Sequence, residues 1–212
     1  LGVRIIQLTY NDRNLLGSGC EERTDDGLSN FGRDAVREMN RLGILIDLSH
    51  VGDSTTLEAA ELSDQPVACT HANARSFYNH RRNKTDDALD LIAQNGGVIG
   101  ATAWPRFLRN GWESSLSDYI DAIDDMVERV GIDHVGIGTD YTQGQTKEFF
   151  DWLVTQQGTK PSPRRAEYPE VPFHPEGLET PDKMPIIAKE LINRGYSTAD
   201  ITKVLGGNWI RL

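Results

Sequence analysis

Two short apolar runs, each ending on a histidine, constrain this chain more than anything else in it. They are residues 43–50 (Gly-Ile-Leu-Ile-Asp-Leu-Ser-His) and 66–71 (Pro-Val-Ala-Cys-Thr-His). Between them, residues 53–63 read as a helix that Asp53 can cap, with Leu57, Ala60, Glu61 and Leu62 marking one face. Strand, helix and strand in so few residues predict two neighbouring parallel strands, because a parallel pair needs such a crossover. Parallel strands end on the same side of their sheet, so His50 and His71 are predicted to emerge side by side. That is the edge where α/β folds put their chemistry. A single histidine after a strand is more often a hydrogen-bonded structural residue. Two at matching strand ends point to a metal, since neutral imidazole ligates zinc and its neighbours well. A catalytic zinc usually takes three protein ligands, so the rest must come from elsewhere.

The same grammar continues along the chain. Apolar runs at 1–10, 43–50, 66–71, 97–104 and 135–140 read as five strands, and helices follow most of them. Ser29 is predicted to cap a helix to Leu42 that buries Phe31, Ala35, Val36, Met39 and Leu42 and stops at Gly43. Thr85 and Ser117 are predicted to cap two further helices, the second stopped by Gly131. Thr180 and Pro181 are predicted to open a helix to Arg194, and Ser197 a last one to Leu205. The strand ends carry His50, His71, Trp104 and Asp140, and a (β/α)₈ barrel collects its active site from several strand ends in this way. Such a barrel needs about 250 residues, and this chain of 212 supplies about five of its eight units. A doubly wound open sheet is the alternative, although no glycine-rich phosphate loop follows the first strand.

The whole chain, residues 1–212, reads as one barrel portion. Residues 141–179 form a connection too long for an ordinary loop, with five of the nine prolines. Phe149, Phe150, Trp152, Leu153, Tyr168 and Phe173 make it too apolar for a solvated linker, so it is expected to be a pocket or interface element. A net charge of −10 argues against a nucleic-acid partner. No window approaches a membrane span of about 18 apolar residues. Cys20 and Cys69, without CxxC spacing, make a disulfide framework or thiolate zinc site a poor expectation.

Several strings now come together: 1–4 Leu-Gly-Val-Arg, 8–11 Leu-Thr-Tyr-Asn, 27–32 Gly-Leu-Ser-Asn-Phe-Gly, 47–51 Asp-Leu-Ser-His-Val, Thr70-His71, 81–83 Arg-Arg-Asn and 136–140 Gly-Ile-Gly-Thr-Asp. In that order, and with eleven residues from His71 to Arg82, the chain resembles the membrane (renal) dipeptidase family, peptidase family M19, in its bacterial form. The resemblance implies a (β/α)₈ barrel of the metal-dependent hydrolase type, holding two zinc ions and cleaving dipeptides with a metal-bridging hydroxide. His50 and His71 match the two histidines of one zinc. Arg82 matches the arginine that grips the substrate's C-terminal carboxylate, as a planar guanidinium suits. Asp140 matches the aspartate that meets the substrate amine and handles the leaving group's proton. Tyr10 and Trp104 are candidate substrate contacts; Tyr10 stands where mammalian members have a histidine, and a phenol cannot carry its charge.

The family's His-x-Asp and its bridging glutamate belong upstream of residue 1, and no His-x-Asp occurs here. The chain, opening inside a strand, therefore reads as part of something longer. Five strands without their ladder partners predict a complementary N-terminal segment or a homo-oligomer rather than an active monomer. The other readings are an inactive barrel remnant or assembly partner, and a related barrel hydrolase acting on lactones or phosphoesters. His80, His134 and His174 are poor ligand candidates: beside arginines, at a strand start and between prolines.

Overall fold

A computed structural model describes residues 2–154 and 174–212. Five strands form one parallel sheet in the order β1-β2-β3-β4-β5: β1 Ile5–Gln7, β2 Leu45–Asp47, β3 Ala68–Cys69, β4 Val98–Ala101 and β5 Val135–Ile137. Their registers, such as Ile6 beside Ile46 and Gly100 beside Gly136, advance without a reversal of order. A doubly wound sheet reverses its strand order at the switch point. This sheet does not, and the fold is a partial α/β barrel.

Helices α1 Asn30–Leu42, α2 Asp53–Leu62, α3 Asp86–Gln94 and α4 Leu116–Val130 fill the crossovers. Then come α5 Lys147–Val154, α6 Pro185–Asn193, α7 Thr198–Thr202 and α8 Asn208–Arg211. The Ser29 and Thr85 side chains cap α1 and α3, and Gly43 ends α1 at φ 66°, which glycine adopts without cost. The core between sheet and helices includes Leu48, Val51, Leu89, Ile99, Ile123 and Met126, all fully buried. No helix among the described residues is long and apolar enough to cross a membrane.

Several local expectations are corrected. The strands are two to four residues long, because the chain turns out of the sheet before each strand-end residue. Gly52, not Asp53, is the N-cap of α2; Asp25 reaches in from the preceding loop and accepts from the Ser54 and Thr55 amides instead. Ser115, not Ser117, caps α4, in a reciprocal box with Asp118. Phe31 and Leu42 are 60% and 54% exposed, so the buried face of α1 is Gly32, Val36 and Met39. Residues 181–194 divide into a 3-10 turn and α6, because Pro185 restarts the helix at a first-turn position. The segment after Ser197 breaks at Gly206, so α8 follows as a separate turn. The α5 helix lies inside the stretch read as one long connection.

The turn at α8 packs on β5. Asn208 Nδ2 donates to the Val135 carbonyl at 2.8 Å and Trp209 Nε1 to that of Ile137 at 3.1 Å. The Trp209 indole lies where a side chain at residue 136 would be, which requires Gly136.

Candidate active site

A buried carboxylate organises the C-terminal edge of the sheet. Asp47, the last residue of β2, is 5% exposed. Its Oδ1 accepts from the Ser49 amide at 3.0 Å, the Ser49 hydroxyl at 2.5 Å and the Thr70 amide at 3.0 Å; its Oδ2 accepts from the Thr70 hydroxyl at 2.8 Å. One side chain thereby fixes the turns after β2 and β3, each of which presents a histidine.

His50 Nε2 and His71 Nε2 lie 2.9 Å apart. The network decides where their protons are. His50 Nδ1 sits 2.7 Å from Asn11 Oδ1, an oxygen that can only accept, so Nδ1 carries the hydrogen. Thr70 spends its one hydroxyl hydrogen on Asp47, so at 2.8 Å it must accept from His71 Nδ1. Both Nε2 atoms are left with bare lone pairs facing each other. Burial, with Arg82, His71 and Lys84 close by, holds His50 well below its usual pKa. Burial likewise lowers His71, against the pull of Asp140. Two lone pairs held together in neutral rings repel unless a cation lies between them. A separation of 2.9 Å is within reach of two nitrogens each bound at about 2.0–2.1 Å to one zinc-like ion. The residues fit a metal. Among the described residues no group of three or more His, Cys, Asp or Glu gathers to hold one, so these two nitrogens are only part of a ligand set.

A cavity of about 330 Å³ opens in front of the pair. Its lining includes all six residues singled out from the sequence: Tyr10, His50, His71, Arg82, Trp104 and Asp140. Tyr10 stacks on His50 with ring centres 4.2 Å apart. Arg82 is 4% exposed; it donates to the Ser49 carbonyl and, at 3.4 Å, to that of His71, and its guanidinium rests 5.1 Å from the Phe107 ring centre. These bonds use two of its five N–H donors. Asp140, three residues past β5, has φ 59°, the left-handed region, and is the only non-glycine there among the described residues. Aspartate tolerates that conformation better than most. Trp104 is buried against Phe150, with ring centres 5.7 Å apart. Phe149, Phe150 and Leu153 of α5 line the same cavity, and Trp152 faces out at 46% exposure. Tyr168 and Phe173 lie outside the described residues.

The fold also brings in residues that no motif or spacing singles out. His80 lines the cavity, and its Nδ1 accepts the Arg82 amide at 3.1 Å. Burial and the charges of Arg106, Arg82, Arg75 and Arg81 push it down to about 4. His174 is 5% exposed, with its ring 4.4 Å from that of Tyr141 and its Nε2 without a partner among the described residues. His134 instead meets the Gly97 carbonyl at 2.9 Å, at the far end of the strands.

Fold and site together define a parallel α/β barrel with imidazole, guanidinium and carboxylate groups gathered at its C-terminal strand ends. The chain belongs to the membrane dipeptidase family, peptidase family M19, whose sequence model matches residues 1–156 and 166–212. It is 33% identical to dipeptidase tcpJ of Claviceps purpurea over all of this chain and 44% of that protein. An amidohydrolase from Pseudomonas aeruginosa superposes with a TM-score of 0.90 at 42% identity, covering 99% of this chain and 63% of the other. A metallopeptidase from Rhodobacter sphaeroides, solved with a phosphinate mimic of L-Ala-D-Ala, does so at 0.79 and 26%, covering 98% and 54%. The chain spans about half the length of the curated relatives it matches.

Proposed function

We propose that this chain carries part of the active site of a zinc-dependent dipeptidase. The observation that supports it most is the pair of bare Nε2 lone pairs 2.9 Å apart, fixed by Asn11 on one side and by Asp47 through Thr70 on the other. A carboxylate behind a ligating histidine raises its basicity and holds its ring orientation. When bound, zinc supplies Lewis acidity to the scissile carbonyl and makes water acidic enough to attack near neutral pH. This chain's own residues do the rest. Arg82 receives the substrate's C-terminal carboxylate on its remaining donors, which sets the distance from that carboxylate to the histidines. Asp140 takes the proton from the attacking water and passes it to the amine as the C–N bond breaks. Tyr10, Trp104 and the α5 aromatics, from the 141–179 segment, close the cavity walls and exclude bulk water.

A lactone or phosphoester has no carboxylate for Arg82, so that arginine favours the dipeptide reading. The reading is tested by zinc content and dipeptide turnover in the full-length protein. Wild type should hold zinc and cleave dipeptides; His50→Asn and His71→Asn should each lose both. Full zinc content and turnover in either variant would refute it.

A further inference from the structure

Beside the histidine pair, another part of the cavity lining is built of donors. Arg82 and His80 both rest on Phe107; the His80 ring centre is 4.8 Å from that of Phe107. His80 accepts at Nδ1 from the Arg82 amide, so as a neutral ring it carries its proton on Nε2 and adds a donor to this wall. Next along the chain from Phe107 is Arg106, which also lines the cavity and is half-buried. Arg106 makes no hydrogen bond or ion pair with the described residues, and its charge acts strongly on His80. Arg75, behind the same loop, is already held by both oxygens of Asp53 at 2.6 and 2.7 Å.

One carboxylate satisfies one guanidinium. If Arg82 takes the substrate's C-terminal carboxylate, Arg106 remains a second cation in the same cavity lining. It keeps that charge in a chain with a net charge of −10, beside a cavity that Glu21 and Asp140 also line. We infer that Arg106 is a specificity-determining residue that receives a second carboxylate, the side chain of an aspartate or glutamate at the C-terminal position of the dipeptide. The inference rests on the dipeptidase reading for its substrate and on Arg106 alone for its selectivity.

The test compares Ala-Asp with Ala-Asn, isosteric and differing by one charge, in both configurations at the second residue, on the full-length zinc-loaded protein. In parallel, calorimetry measures binding of free aspartate and asparagine, which needs no turnover. Wild type should favour the acidic member about tenfold or more in kcat/KM and in affinity, the scale of one well-placed charge contact. Arg106→Gln should bring both ratios near one, and Arg106→Lys should keep most of the preference. Ratios near one in wild type, or ratios that Arg106→Gln leaves intact, would overturn the inference. Arg106-dependent aspartate binding without cleavage of any dipeptide would uphold the subsite and sink the dipeptidase reading. Cleavage with no acidic preference would do the reverse.

Discussion

Two parts of the cavity lining are opposite in character. On one, His50 and His71 present lone pairs with no proton between them, in rings that burial keeps neutral. On the other, Arg82, Arg106 and His80 present donors, with a pair of guanidinium charges in place of a pair of lone pairs. The first suits a cation and the second an anion. Under the proposed reading, a metal ion would complete the first and a substrate carboxylate the second. Neither wall alone would argue for this: paired imidazoles occur in cores, and arginines line many clefts. Both line one cavity of about 330 Å³.

The comparison breaks most severely on the histidine side. His50→Ala or His71→Ala should cut zinc affinity by more than about 100-fold, beyond what loss of a supporting residue costs, with turnover falling in step. Metal analysis after dialysis against a weak chelator checks it. Next in size, Asp140→Asn should lower kcat about 10²–10⁴-fold with little change in KM, as removal of a proton-transfer group does. Arg82→Ala should act mainly on KM. It should also lower the melting temperature, because the Ser49 and His71 carbonyls lose their donor, at about 1–3 kcal/mol each. Steady-state kinetics and a thermal melt separate the two. Equal, small effects would place both residues outside the machinery.

Thr70→Val should weaken zinc about 10–100-fold, the usual cost of losing the partner that orients a ligating histidine. Among the described residues that hydroxyl is the hydrogen-bonded link between Asp47 and the His71 ring, so an unchanged zinc affinity would show that the orientation comes from packing. The smallest effect belongs to the donor wall. His80 sits at about 4 in the fold, against about 6.5 when unfolded, so the unfolded chain binds the proton first. Its contribution to stability is whole above about pH 6.5 and is lost as the pH falls toward about 4. His80→Asn should flatten that part of the melting-temperature profile; an unchanged slope would show that other groups set it.

Much of this was legible in the chain, for identifiable reasons. A β-α-β unit of 29 residues from 43 to 71 leaves little freedom, so the meeting of His50 with His71 follows from spacing and from the parallel pairing rule. Gly43 and the caps Ser29 and Thr85 are local chemistry that sequence reports directly. What was hidden depends on residues distant in sequence. Asp25 caps α2 from 29 residues away, so the nearer Asp53 drew the assignment. Phe31 and Leu42 continue the apolar period of α1, yet nothing in the described residues covers them. His80 among arginines and His174 between prolines carry no periodic signal; only the folded loops show that His174 is buried and that His80 lines the cavity. Asp47 carried a clue, a carboxylate ending an apolar strand, which burial requires to be fully hydrogen-bonded.

The claim on which the account turns is that one ion joins His50 to His71. Anomalous diffraction at the zinc edge, on crystals of the full-length protein grown with zinc, tests it most directly. The predicted result is a single peak bonded to both Nε2 atoms at about 2.0–2.1 Å. A peak bonded to only one of the rings, or no peak between them, would contradict it.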